Sequence, residues 1–314
     1  MTEQTTLDVI LLMLAIFGLL ALLTIVAELI RIRLPLGQTD PVIEAFLMRI
    51  HTWWGLAIIL SIAILSGAFM VTLLFAFVSF AALREFLTFT AKRRADHLSL
   101  VLGFFVILPL QYLFVWLDWM GLFTVFIPVY VFLLLPILSA VRGDPDQFLV
   151  RVAETQWGLM ICVYCLSHVP ALLTYEVPDG ADRSLLLIIF FAMVVQLADF
   201  VEYYAGRSFG RRKIAPAISP KTVIGVVAGV AASALIGALL SWITPFGILG
   251  AAAMAALASV TGILGSIVFA AIKRDRGVKD WSHLIPGHGG FLDQLDSVIF
   301  AAPVFYHATH LGWG

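Results

Sequence analysis

Apolar runs long enough to form membrane-spanning helices recur along nearly the whole chain, and they restrict its fold more than any other feature. A helix of about 20 apolar residues crosses the roughly 30 Å hydrocarbon core of a bilayer. Of the 314 residues, 61% are hydrophobic and only 12% are charged, whereas soluble domains are about a quarter charged. The sequence therefore predicts an all-α, polytopic integral membrane protein.

Polar breaks and the positions of the basic residues predict a topology. The breaks separate ten candidate transmembrane helices, at residues 8–30, 52–66, 68–83, 98–117, 119–140, 156–175, 184–203, 222–242, 246–272 and 297–312. If the N-terminus lies outside, every Lys and Arg except Arg183 falls on the other side, and basic residues accumulate in cytoplasmic loops. We therefore expect ten crossings, both termini outside, and basic loops facing the cytoplasm of a bacterium from its inner membrane.

The distribution of polar residues suggests two regions. In residues 1–155 the charges cluster at helix ends, which predicts a scaffold with a lipid groove. In residues 156–314, acids, bases, glycines and prolines concentrate in two segments predicted to face the cytoplasm, 199–225 and 273–297, which predicts a catalytic region. The net charge of -1 provides no general basic field, so nucleic acid is not expected as a partner.

The first polar segment begins with two acids on one helix face. Asp199 and Glu202 are three residues apart, which places them together on a helix, and ionisable groups near membrane level are candidates for function because they are costly there. Glycines and cations follow in 206–221 and suit a ligand that carries phosphates. The alternative is that the two acids pair with Arg211 or Arg212 at the membrane interface.

The second polar segment mixes cations with acids. Cations alone would suit anionic lipid headgroups, but neighbouring carboxylates favour phosphates bridged by a divalent metal, and carboxylate oxygens suit Mg²⁺. Asp293 and Asp296 lie one turn apart at the predicted start of the last helix; the alternative is that they cap this helix. The charged side chains of this segment are Lys273, Arg274, Asp275, Arg276, Lys279, Asp280, Asp293 and Asp296.

These residues resemble the signature of the phosphatidate cytidylyltransferase family, the CDP-diacylglycerol synthases. The resemblance covers about residues 199–297. Its downstream part consists of Ser266, Lys273-Arg274, Lys279-Asp280, Pro286-Gly-His288-Gly289-Gly290, Asp293 and Asp296. Its upstream part consists of Asp199, Tyr203, Gly206, Arg207, Ser219, Pro220 and Thr222, which are similar to two further elements of the family.

The resemblance implies attack by the phosphate oxygen of phosphatidate on the α-phosphorus of CTP, which gives CDP-diacylglycerol and pyrophosphate for phospholipid biosynthesis. Its implied partners are CTP, a lipid phosphate and the bilayer, with a homodimer and a second cation left open. The implied Mg²⁺ ligands are Asp293, Asp296 and Asp280, and Lys273 and Lys279 complete the catalytic set. The implied substrate-binding residues are Arg274, His288, Gly289, Gly290, Ser266, Asp199, Tyr203, Arg207, Ser219 and Lys221.

The chain departs from the family pattern at three positions. Gln294 stands where the family usually has Arg, and Ile224 stands where it has Glu before Gly225. Glu202 replaces the usual Ala before Tyr203 and could supply a displaced carboxylate. These departures leave open a paralogue that acts on another lipid phosphate and a CTP-dependent lipid kinase. An ion-coupled transporter is the alternative outside the enzymes, because acids within membrane bundles also mark ion pathways.

Overall fold

The computed structural model describes residues 3–33, 41–90, 93–175, 183–282, 284 and 289–313. These residues form no β-strand, only isolated bridge positions such as the antiparallel pair Lys213 and Thr222, so the predicted all-α class is confirmed. Their ten long helices are α1 (Glu3–Ile32), α2 (Pro41–Leu65), α3 (Ala68–Thr88), α4 (Arg94–Trp116), α5 (Met120–Val141), α6 (Phe148–Thr174), α7 (Ser184–Phe209), α8 (Val223–Leu239), α9 (Gly247–Asp275) and α10 (Phe291–Trp313).

Eight of these helices, α1 to α7 and α9, are long and apolar enough to cross a membrane. On α1, Leu11, Leu14 and Leu22 are each more than half exposed, as expected of side chains that face hydrocarbon rather than water. The chain is therefore an integral membrane protein. Helix α8 has only 17 residues and α10 is not in this set, so ten crossings and the side of each terminus remain predictions.

Helices α7, α8, α9 and α10 pack in chain order, and α10 also packs against α3 and α6. Thr222 caps α8, because its hydroxyl accepts a hydrogen bond from the Gly225 amide over 3.1 Å. At Gly229 the helices α7 and α8 are so close that a Cβ would lie 2.6 Å from the Ala198 carbonyl oxygen. Small residues permit such close approach of membrane helices.

The predicted division at residue 155 falls inside a continuous helix. Helix α6 runs through that position, and α3, from the first region, packs directly against α10, from the second. The two regions thus differ in polar content but share one packed bundle.

Candidate active site

A single cavity of about 670 Å³ brings the two polar segments together. Side chains of α2, α7, α9, α10 and the loop 210–222 line it, and its volume lies within the roughly 300–1,000 Å³ of small-molecule sites. Nine of the predicted site residues line this cavity: Asp199, Tyr203, Arg207, Ser219, Lys221, Ser266, Lys273, Asp293 and Asp296. The motifs therefore contain residues that the structure brings together around one cavity, and their functional roles stay predictions.

The loop 210–222 folds back on itself and presents Lys221 to two acids of α7. The Ile214 amide donates to the Lys221 carbonyl oxygen over 3.0 Å. The Lys221 ammonium lies 2.6 Å from Glu202 and 3.5 Å from Asp199. Burial acts to lower the pKa of Lys221, but the two carboxylates outweigh it and raise that pKa above its usual value. Lys221 is therefore a charged group inside the cavity wall.

The acids of α7 do not pair with Arg211 or Arg212 among the ion pairs of the described residues; Lys221 takes that place. One Asp199 carboxylate oxygen is buried and accepts no hydrogen bond from the described part of the chain. Across the cavity, burial and then the Asp199 charge raise the pKa of Asp296 well above its usual value. Asp296 precedes the apolar part of α10. A cation bound between these carboxylates would favour their charged forms.

Asp293 is held by three donors. One of its oxygens accepts from the Lys273 ammonium over 2.7 Å. The other accepts from the Trp281 amide over 2.8 Å and from the Gly290 amide over 2.9 Å. Gly290 is the residue immediately before α10, and Asp293 lies in the first turn of that helix. A carboxylate in the first turn that accepts from the amide of the preceding residue is a common helix cap. Asp293 therefore combines a place in the cavity with the capping role that was the alternative interpretation.

No group of three or more His, Cys, Asp or Glu side chains with the arrangement of a metal site occurs among the described residues. Mg²⁺ needs fewer, because it commonly takes one or two carboxylates together with waters and substrate phosphates. Asp293 and Asp296 line the cavity together with Asp199, whose buried Oδ1 accepts no hydrogen bond from the described residues and lies 3.5 Å from the Lys221 ammonium. The donor set thus fits a hard divalent cation.

Five other predicted site residues do not line the cavity: Arg274, Lys279, Asp280, Gly289 and Gly290. Arg274 follows Lys273 and is turned about 100° around α9, where it is exposed. Gly277, with φ of 69°, reverses the chain after α9, and Lys279 is exposed beyond it. Gly289, with φ of 81°, lies against Asp293 and Asp280, so that a Cβ there would collide with the Asp293 carboxylate. His288 lies outside the described residues.

Helix α2 contributes cavity residues that the motifs did not indicate. The Arg49 guanidinium carbon lies 4.3 Å from the centre of the Tyr203 ring, a cation–π contact. Trp53 packs on Phe200 with ring centres 5.1 Å apart. Nothing in the sequence of 1–155 predicts this chemistry, since Arg49 has the position of an ordinary charge at a helix end. The one sequence signal is that Arg49 lies about one helical turn before the aromatic residues Trp53 and Trp54.

Comparison with known proteins assigns the chain to a family. A model of the cytidylyltransferase family matches residues 47–311. The uncharacterized protein YnbB of Escherichia coli is 38% identical over 300 residues, which cover 93% of this chain and 95% of that protein.

Relatives with a described activity match a shorter part of the chain. The phosphatidate cytidylyltransferase of Synechocystis is 36% identical over 132 residues, 41% of this chain, and that of Bacillus subtilis is 36% identical over 129 residues, 40% of this chain. The matched segment spans only 45% and 48% of those two enzymes. The resemblance seen in the motifs is thus confirmed, and the chain belongs to the cytidylyltransferase family.

Proposed function

We propose that this membrane protein transfers a cytidylyl group from CTP to phosphatidate and releases CDP-diacylglycerol and pyrophosphate. The observation that supports this most is the one cavity in which Lys221 and Lys273 stand among Asp199, Asp293 and Asp296. Cations in such a cavity suit a triphosphate, and carboxylates beside them suit the metal that accompanies it. Membership of the cytidylyltransferase family supports nucleotidyl transfer.

In the proposed reaction, a phosphate oxygen of the lipid attacks the α-phosphorus of CTP. The bond between this phosphorus and the bridging oxygen of the β-phosphate breaks, and pyrophosphate leaves with the electron pair. Such transfer depends on positioning and on charge neutralisation more than on a covalent nucleophile. Lys273 and Lys221 are suited to both tasks, because each is oriented by a carboxylate within 2.7 Å.

Asp293 and Asp296, which both line the cavity, are the two carboxylates that we propose to hold Mg²⁺. The ion would supply positive charge next to the triphosphate. Asp280 lies behind Gly289 rather than in the cavity wall, so we place it in support of Asp293.

The two substrates are proposed to enter from different directions. The aromatic wall of Trp53, Phe200 and Tyr203 suits the lipid, which would approach sideways from the inner leaflet with its phosphate toward Arg49 and Arg207. CTP would enter past the loop 210–222 from the cytoplasm. With ten crossings and both termini outside, this loop and the start of α10 share the cytoplasmic face that the basic residues predict.

The test is the fate of labelled phosphate. Purified protein in lipid vesicles is incubated with phosphatidate, Mg²⁺ and CTP labelled either at the α- or at the γ-phosphorus. Cytidylyl transfer puts the α-label into the lipid and the γ-label into pyrophosphate. Transfer of the γ-label to the lipid would instead show a CTP-dependent kinase, and ion-driven uptake without CTP turnover would show a transporter.

A panel of acceptors decides the substrate. Phosphatidate, a polyprenyl phosphate and an ether-linked lipid phosphate are compared under the same conditions, with Asp296→Asn as the inactive control. Faster transfer to phosphatidate supports the proposal. Transfer only to another lipid phosphate would replace it with the paralogue.

A further inference from the structure

Glu85 is a buried acid of α3 that reaches the catalytic segment from the other half of the chain. Only 6% of the surface of Glu85 is exposed. One carboxylate oxygen accepts from the Phe291 amide over 3.0 Å and from the Ser282 hydroxyl over 2.7 Å. The other oxygen accepts from the Leu292 amide over 2.9 Å. Glu85 thus binds Ser282, in the middle of the segment that joins α9 to α10, and the first two residues of α10.

Two of these donors are the free amides at the start of α10. The first amides of a helix have no partner within the helix, and a carboxylate placed there is favoured by the helix dipole. This cap comes from α3 rather than from the adjoining loop. Gly290 makes room for it, because a Cβ at that position would collide with the Glu85 carboxylate.

The same turn holds Asp293. The Gly290 amide, next to the amides that Glu85 binds, donates to Asp293, and so does the Trp281 amide. Trp281 precedes Ser282, which Glu85 also binds. The two carboxylates therefore bind neighbouring residues, at 281–282 and again at 290–292, and of the two only Asp293 lines the cavity.

We propose that Glu85 is a positioning residue, which caps α10 from α3 and thereby sets Asp293 and Asp296 against Lys273 in the cavity. The expected effect on turnover rests on the proposed function, whereas the expected effect on the position of α10 rests on the structure alone. A displacement of about 1 Å at reacting groups costs on the order of 100-fold in rate. The expected loss is therefore in kcat, since saturating CTP cannot restore the position of α10.

The experiment compares Glu85→Ala and Glu85→Gln with Asp96→Asn. Asp96 is a matched control, because it is a buried acid in the same half of the chain, 3% exposed, and its ion pair is to Arg151 at 2.9 Å, away from the cavity. Turnover per folded protein and amide hydrogen exchange at Trp281, Phe291 and Leu292 are measured for each. Gln keeps one oxygen acceptor, so it serves if Ala prevents folding.

We expect Glu85→Ala to lower kcat on the order of 100-fold with a smaller change in KM, Glu85→Gln to lose less, and Asp96→Asn to keep its rate per folded protein. We also expect faster exchange at Trp281, which Glu85 does not touch directly. Unchanged kcat, or unchanged protection of Trp281, would overturn the proposal. If the wild-type protein transfers no cytidylyl group, the proposed function fails, while the exchange at Trp281 still decides the role of Glu85.

Discussion

At the scale of single residues, Asp293 both supports the local structure and lines the cavity. Its carboxylate faces the cavity and also accepts hydrogen bonds from Lys273, Trp281 and Gly290. In Asp293→Asn, the new amide NH₂ group must point at a hydrogen-bond donor, because every partner of the Asp293 carboxylate is a donor. Lys273 also loses its charged partner. We expect turnover to be lost and the free energy of unfolding to fall by about 1–3 kcal/mol, measured by CTP turnover and by thermal unfolding in detergent.

The control for this change is Asp275→Asn. The Asp275 side chain is 72% exposed, and its ion-pair partner among the described residues is the neighbouring Arg276, at 3.3 Å. Turnover and stability should stay near those of the wild type. Full activity of Asp293→Asn at saturating Mg²⁺ would remove Asp293 from the proposed metal ligands.

Gln294 is a second residue whose substitution is informative, because it lines the cavity between Asp293 and Asp296. A guanidinium there would favour the charged carboxylates and could bind phosphate. We expect Gln294→Arg to raise CTP affinity or activity on phosphatidate, and Gln294→Ala to lower activity modestly, in titrations of CTP. If Arg abolishes activity on every lipid phosphate, the glutamine recognises a different substrate.

Single residues also show where prediction from sequence reaches its limit. The position of Lys273, Asp293 and Asp296 beside the cavity could be predicted, because their fixed spacing within one segment marks them as a motif. Arg49 and Glu85 could not, since each is one charged residue on a distant helix, and only tertiary packing brings it to α7 or α10. An isolated charge near a helix end looks the same whether it orients the protein or supports a site.

At the scale of helices, the contact between α7 and α8 sets the position of Glu202 and Lys221. Gly229 leaves no space for a side chain, with Ala198 and Glu202 both in reach of a Cβ. We expect Gly229→Ala to separate the helices, to destabilise the protein by about 1–3 kcal/mol and to lower turnover. Thermal unfolding and CTP turnover measure the two effects.

Gly18→Ala is the matched control, because Gly18 lies within α1 and has nothing within 4 Å of a Cβ. Alanine favours a helix over glycine, so this variant should be as stable as the wild type or slightly more so. Equal stability of Gly229→Ala and Gly18→Ala would contradict the close packing of α7 on α8.

The helices themselves were predictable, but their polar ends were not. Hydropathy places the second helix at 52–66 and the last at 297–312, whereas α2 begins at Pro41 and α10 at Phe291. The turns that hydropathy leaves out carry Arg49 and Asp293, which line the cavity, and of the two only Asp293 was expected at a helix start, from its charged motif. A search for apolar runs detects the part of a helix that hydrocarbon surrounds and omits the polar turns that build the site.

At the scale of the whole molecule, the elements that line the cavity lie at one face of the bundle. The loop 210–222, the end of α9 and the start of α10 all border the cavity, and their many basic residues are those that predict a cytoplasmic face. The orientation of the protein in the membrane therefore decides from which side CTP reaches the cavity. A measurement of sidedness tests both.

Single cysteines at Ile214 and Leu311 are suited to that measurement. Ile214 belongs to the loop 210–222 and is 42% exposed, and Leu311, near the end of α10, is 89% exposed. The background is Cys162→Ala with Cys165→Ala, which removes both native thiols. With a membrane-impermeant maleimide, we expect Leu311→Cys to react in intact spheroplasts and Ile214→Cys to react only in inside-out vesicles.

Three helices, α8, α9 and α10, separate these two positions, so opposite sides require that all three cross or that only one does. Helix α9 alone would satisfy the pattern, and a third cysteine at Trp242, which follows α8 and is 50% exposed, distinguishes the cases. Because α9 is long and apolar enough to cross, labelling of both Trp242→Cys and Leu311→Cys from outside means that α8, α9 and α10 all cross, as ten spans require. Labelling of Ile214→Cys from outside would reverse the orientation and remove the cytoplasmic supply of CTP from the proposal.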